Sequence, residues 1–413
     1  MLTPIEPAPT GNGLAMRAEL FRRSALADFD VQTVVVPVAG HVPGPRGSGV
    51  PLAGGVRDAR GSGVAVVPPD PARARAGAIA LAAEATWRDR LASVGSLPAA
   101  ARAASPGLAD AVVHTVRGRG PVALHVVRAY MAPLGTAVGE RLEAAWTTLD
   151  LDEDDAGFAR AAGDLEGAAA YERLLKVFAP LFDGLSAASA GDALAIGERC
   201  GLAAQHLPNA VPLPVRWPRP SRIGTREAPS LLFVGNLTYP PNIEAAELLA
   251  RVILPAVRRR LGRRVHVTLV GPHDGGLDRL RGVDVEVPGF VPDLEPLYAS
   301  ADAVVVPLRT GGGTRIKLLE AFAHGVPVVA SPAAAAGLDV IDRHHLLLAD
   351  GSDQVAAAIE AVLTDEQLAG RLVGGAARLV HERYCIDGVV PAIRDFFSRA
   401  AERARARVQP CPA

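Results

Sequence analysis

The sequence predicts an α/β protein of two Rossmann-like domains, each built on a parallel sheet covered by helices. Three observations point there. At 413 residues the chain exceeds one typical core of roughly 150 residues. Short, near-continuous apolar runs alternate with helical periodicity, the pattern of strands buried on both faces. A proline-dense stretch separates two such series.

In the first series, strands are expected at 29–38, 63–67, 121–129, 147–151, 184–188 and 204–207, with helices including 14–27, 72–93 and 157–179. The first strand is represented only by "MLTPI". "GHVPGPRGSGVPLAGGVRDARGSG" (40–63) reads as a long flexible loop, because glycine and proline dominate it. "PLPVRWPRPSRIGTREAPS" follows, with prolines at 212, 214, 218, 220 and 229. Proline at that density continues neither a helix nor a central strand, so 212–229 reads as a semi-rigid linker.

The second series is the cleaner one. Strands are expected at 230–235, 265–271, 283–289, 302–308, 326–331 and 344–350, with helices at 242–260, 293–300, 315–324 and 353–363. The domains are accordingly placed at 1–211 and 230–385. A final amphipathic helix at about 387–407, within 386–413, carries Phe396 and Phe397 and is expected to pack back on the first domain.

A net charge of −1 gives no bulk electrostatic case for nucleic acid or an anionic membrane. Any anion must be held locally. Cys200, Cys385 and Cys411 have neither disulfide-framework nor zinc-ligand spacing, and a reducing cytoplasm is the expected location. No apolar run reaches the ~20 residues that span a bilayer, which leaves peripheral membrane contact open.

The richest local signal is "RTGGGTRIKLLEAFAHG" (309–325), a glycine loop between an apolar strand and a helix. Such a loop exposes backbone N–H groups, and the helix start adds about half a positive charge, so phosphate is the natural ligand. Arg315 offers a planar fork and Lys317 a point charge; of 43 basic residues, only Lys176 and Lys317 are lysine. Glu320 is suited to accept from two vicinal ribose hydroxyls. The plainer alternative makes the glycines a turn, Thr314 a helix cap, and Glu320 a solvent-facing partner of Lys317.

The run "KLLEAFAHGVPVVAS" resembles the signature of family-four glycosyltransferases (glycosyl transferases group 1), which have the two-domain GT-B fold. "LPNAV" (207–211), "LLFVGNL" (231–237), "LVGPH" (269–273) and "VPGFVPDLEPLYASADAVVVPL" (287–308) extend the resemblance over 207–385. It implies metal-independent transfer of a glycosyl unit from a nucleotide sugar, a UDP-sugar first, with retention at the anomeric carbon. No cofactor beyond this co-substrate is implied. The backbone of Gly289, Phe290 and Val291 would meet the base, Glu320 the ribose, and the N–H groups of Gly313 and Thr314 the diphosphate.

The chain departs from that pattern at three places. Gly312 stands eight positions before Glu320, where the family commonly has a sugar-touching glutamate. Gly235 and Asn236 stand where a Gly-Arg pair faces the phosphates, and Asn242 lies near the place of a phosphate lysine. Arg315 and Lys317 are therefore expected to supply the missing charge from the facing loop. The sugar, the oligomeric state and the acceptor, whether small molecule, lipid or glycan, are not written in these motifs.

The first domain is expected to serve the acceptor. Gly11, Asn12 and Gly13 form a loop opening into a helix with Arg17, and the fold turns this loop toward the interdomain cleft; a plain helix-starting turn is the alternative. His125 and Arg128 lie near the end of "VALHVVRAYMAPLG". The resemblance implies a histidine of this domain near the donor sugar, which makes His125 a candidate for positioning or proton relay, against a hydrogen-bonded core histidine and against His114 in the same role. His324 reads as structural. Asp150-x-Asp152 has the spacing of a divalent-metal site in another glycosyltransferase fold, but the nucleotide-like signals cluster after residue 230, so a solvated loop or helix start is preferred and no metal is assigned. Two rival readings remain: a GT-B-fold sugar-nucleotide epimerase or hydrolase, and a catalytically silent nucleotide-sugar binder. An oxidoreductase lacks its Gly-x-Gly-x-x-Gly after a strand.

Overall fold

Valine, leucine and alanine fill the strands of two separate sheets, and each sheet organises its own core. The computed structural model describes residues 1–9, 12–38, 57–58, 64–68, 70–116, 120–214, 228–310 and 315–408. One compact unit comprises Met1–Pro208 with the chain from Val390 onward, and the other lies between Asn209 and Val389. Most of the expected linker and most of the 40–63 loop lie outside the described residues.

The first unit holds β1 (Leu2–Thr3), β2 (Thr33–Val35), β3 (Arg57–Asp58), β4 (Val64–Val66), β5 (Ala123–Val127), β6 (Trp146–Asp150), β7 (Gly184–Ala187) and β8 (Ala204–His206), in the order β3-β4-β2-β1-β5-β6-β7-β8. All pairings are parallel except β3 with β4. Leu2, Val34, Val126, Leu149 and Leu185 form the buried centre of this core. β3 is a strand within the stretch read as loop.

The helix expected over 72–93 is two helices, Pro71–Ala83 and Ala85–Val94, joined through the extended Glu84. Two packing demands explain the break. Gly77 abuts the backbone of Gly107, where an added Cβ would lie 2.2 Å from the Gly107 carbonyl oxygen. Trp87 turns into the core beside Phe178, with ring centroids 5.8 Å apart, and donates to Glu140 at 2.8 Å. The run read as one helix over 157–179 likewise divides into Asp155–Ala161 and Leu165–Phe178.

The final helix, Ile386–Val408, places Phe396 and Phe397 in the first unit. Phe396 fills the space left by Gly184, where a Cβ would come within 2.8 Å of the ring, and Arg394 pairs with Asp28 at 2.8 Å.

The second unit holds β9 (Ser230–Val234), β10 (His266–Val270), β11 (Val285–Gly289), β12 (Ala303–Val306), β13 (Val328–Ala330) and β14 (Leu347–Leu348), all parallel, in the order β11-β10-β9-β12-β13-β14. The chain steps outward from β9 to β11 and then crosses to β12 on the other side. This places a topological switch point between β9 and β12, where open parallel sheets take their ligands, outside the carboxyl ends of the strands. The helical stretch after β9 runs from Pro240 to Leu261 with a wide turn at Leu249–Ile253. Pro255 lacks the N–H that an ordinary turn needs there, and the widened turn accommodates it. Among the described residues, no helix is long and apolar enough to cross a membrane.

Candidate functional site

The switch point of the second unit gathers the polar side chains of its carboxyl edge. Helix Ile316–Ala323 carries Lys317 and Glu320 one turn apart. Its other side buries Ile316, Leu318, Leu319 and Phe322, so packing fixes the direction of both charged groups. Lys317 reaches the carboxyl end of β9, where its Nζ donates to Asn242 Oδ1 at 2.7 Å and lies 5.0 Å from the Phe233 ring centroid. Asn242, itself buried, donates through Nδ2 to the Asn236 carbonyl at 2.8 Å. Gly235 leaves room for this arrangement, because a Cβ there would lie 3.1 Å from the Lys317 ammonium.

Burial pulls the Lys317 pKa down to about 7, helped by the Arg315 charge and opposed by Glu320. Burial pushes Glu320 up to about 7, against the Tyr298 hydrogen bond and Lys317. Tyr298 donates its hydroxyl to Glu320 Oε2 at 3.1 Å, and its own pKa is driven well above the usual phenol value, first by burial and then by Glu320. The Tyr298 ring stacks on His324, centroids 4.6 Å apart and planes within 6°, so His324 braces the partner of Glu320. Arg315 donates from Nε to the Ala336 carbonyl at 2.7 Å.

The remaining donor-side residues fall into two groups. Gly289 has φ +84°, and Phe290 beyond it is 37% exposed, with Val291 half-buried. Asn236 uses Oδ1 to hold Thr238, accepting from its N–H at 3.0 Å and its hydroxyl at 2.8 Å. Gly312, Gly313 and Thr314 lie outside the described residues, as does Gly11.

The first unit corrects several of the acceptor-side assignments. His125 sits inside β5 at 6% exposure, stacked on Phe21 at 4.4 Å and edge-on to Phe397 at 5.4 Å, with Nδ1 2.9 Å from the Thr148 hydroxyl. Burial drops its pKa to about 3, so it stays neutral at physiological pH, a core histidine beside an apolar cavity of about 300 Å³. Asn12 uses its side chain to cap helix Gly13–Ala25, accepting from Leu14 N and Ala15 N. Arg17 forks onto Asp150 at 2.6 and 2.7 Å and donates to the Leu207 carbonyl. Arg128, at φ +82°, donates to Asp152, Glu153 and Asp155. These guanidinium groups are buried and neutralised within the unit, which leaves them no free charge for an acceptor.

The helix start expected in this stretch is present at Asp155, while Asp150 and Asp152 before it are buried arginine partners and not solvated. Among the described residues, no group of three or more potential ligands could hold a metal ion.

Comparison with known proteins bears on the second unit first. The family description "Glycosyl transferases group 1" matches residues 228–365. Those residues are similar to glycosyl transferases group 1 domains. An uncharacterized glycosyltransferase of Methanocaldococcus jannaschii is 32% identical over 183 residues, which are 42% of this chain and 45% of that protein. The chain thus aligns with less than half the length of this curated relative.

Among solved structures, sucrose-phosphate synthase from Thermosynechococcus elongatus superposes with a TM-score of 0.65 at 16% identity, covering 96% of this chain and 98% of the other. Anabaena HepE in complex with UDP-glucose gives 0.64 at 16% identity, covering 96% and 99%. The α,α-trehalose 6-phosphate synthase of Burkholderia multivorans gives 0.61 at 15% identity, covering 100% and 98%. At these identities the likeness establishes the fold, GT-B, for the chain as a whole.

Sequence reasoning named Lys317, Glu320 and Asn236, and singled out Asn242 only as a substitution. It did not find that Asn242 holds Lys317, nor that Tyr298 holds Glu320. The signal available for Asn242 was its place one turn into the helix after β9, opposite a buried lysine on the neighbouring crossover.

Proposed function

We propose that the chain is a glycosyltransferase that moves a sugar from a nucleoside diphosphate sugar, a UDP-sugar, to an acceptor without a metal and with retention. The observation that carries this reading is the Lys317–Glu320 pair, an ammonium and a carboxylate held on one helix at the switch point by Asn242 and Tyr298. Glu320 accepts from the ribose hydroxyls, and Lys317 and Arg315 receive the diphosphate. Their charges, with the helix start, supply roughly the two positive contributions a departing diphosphate needs.

As the bond from the anomeric carbon to the diphosphate oxygen breaks, its electron pair stays on that oxygen beside Lys317 and Arg315. The acceptor oxygen forms the new bond to the same carbon on the same face and gives its proton to the leaving phosphate. Cytoplasmic location fits the free thiols of Cys200 and Cys385.

The test is turnover of UDP-sugars by wild type, Lys317→Ala and Arg315→Ala. Loss of either cation is expected to lower kcat ~100-fold or more. Turnover within a few fold of wild type removes them from the leaving-group site. Donor consumption without any acceptor marks an epimerase or hydrolase, and binding without turnover marks a silent nucleotide-sugar binder.

A further inference from the structure

A glycine stands at the carboxyl end of each of β9, β10 and β11. Gly235 and Gly271 directly follow β9 and β10, and Gly289 ends β11; a Cβ at Gly271, φ +147°, would lie 1.7 Å from the Gly235 carbonyl oxygen. His273 stands two residues past Gly271, at the β10 end of this carboxyl edge. The His273 side chain is only 10% exposed, and its ring is fixed in place.

Nδ1 accepts from the Gly275 N–H at 3.0 Å, so in the neutral ring the proton resides on Nε2. Nε2 lies 3.7 Å from the position a Cβ would take on Gly289, the residue that precedes the exposed Phe290 in the chain. Asp278 Oδ1 is 4.0 Å from Nε2, beyond hydrogen-bond reach, and accepts from Arg281 Nε at 2.7 Å. The Nε2–H is therefore a pre-oriented donor at the outer end of the edge, with the pole opposite to that of a backbone carbonyl.

We propose that His273 reads the base of the bound nucleotide, its Nε2–H selecting uracil, which presents a carbonyl oxygen at C4, over cytosine, which presents an amino group there. This rests on the reading of the second unit as a nucleotide-sugar site. A donor facing the uracil oxygen forms a hydrogen bond; a donor facing the cytosine amino group leaves two N–H groups opposed and one of them unsatisfied.

The experiment is titration calorimetry of UDP and CDP with the full chain as wild type, His273→Ala and His273→Gln. Wild type is expected to bind UDP at least about tenfold more tightly than CDP. His273→Ala is expected to bring the two affinities within about threefold, chiefly by weakening UDP, and His273→Gln, which keeps an N–H, to restore part of the preference. Equal weakening of both nucleotides by His273→Ala overturns the inference, because a residue that only shapes the Gly275 turn acts on both alike. Equal wild-type affinity for UDP and CDP overturns it too while leaving the nucleotide site standing. Binding of neither to wild type overturns the nucleotide-sugar reading together with this inference.

Discussion

An ammonium and a carboxylate that both titrate near neutrality, one turn apart on the same helix, make ligand binding a proton-linked event. Above pH 7 the free protein holds Lys317 mostly neutral, since burial has lowered it to about 7. A diphosphate at Nζ favours the charged form, so UDP binding at pH 8 is expected to draw in up to one proton. Calorimetry in two buffers of different ionisation enthalpy measures this, and Lys317→Met removes it; identical heats in both buffers place the phosphates away from Lys317. For stability the signs are opposite for the two groups. The unfolded chain binds more protons at Lys317 between pH 7 and its ordinary value, so stability rises with pH there, whereas for Glu320 the folded state binds more between its ordinary value and pH 7, so stability falls. The spacing of Lys317 and Glu320 was legible in the sequence because helical periodicity fixes it. The environment that sets their pKa values was not, since Asn242 and Tyr298 arrive from elements 75 and 22 residues away.

At the scale of elements, two helical glycines have opposite reasons for being there. Gly77 in Pro71–Ala83 lets the Pro106–Leu108 turn approach, and the contact is mutual: a Cβ on Gly107 would lie 2.1 Å from the Ala74 carbonyl oxygen. Gly370 in Glu366–Leu379 is exposed and has no atom within 4 Å of an added Cβ. Gly77→Ala is expected to cost ~1–3 kcal/mol despite alanine's better helix propensity, because backbone cannot yield as a side chain would. Gly370→Ala is expected to stabilise by ~1 kcal/mol. Thermal melts that shift in the same direction for both variants contradict this assignment of the Gly77 contact. The same crossing shows why the run at 72–93 read as one helix. Alanine-rich composition signals helix throughout, while the break at Glu84 is imposed by Gly107 and by the Trp87 seat beside Phe178, neither of which is local in sequence.

At the scale of the molecule, the alternation of apolar runs and helices was enough to announce two parallel α/β sheets, and the motifs after residue 207 were enough to point to GT-B. The acceptor-side assignments fared differently: in the sequence, an arginine early in a helix, a histidine in a strand and an arginine just after it look alike whether they face a ligand or the interior, and Arg17, Arg128 and His125 face inward. The consequence is a chain with two separate cores, of which only the second carries the Lys317–Glu320 pair. Scanning calorimetry is expected to resolve two transitions, with UDP raising one. A ligand present at 100 times its dissociation constant adds ~2.7 kcal/mol to the unit that binds it, which for a unit of this size is a shift of roughly 5–10 °C. Val306→Ala in β12 is expected to lower the UDP-responsive transition selectively, since Val306 is fully buried in the second sheet, and Leu149→Ala in β6 to lower the other. A single transition that moves as one under UDP and under both substitutions shows instead that the units unfold as a cooperative whole.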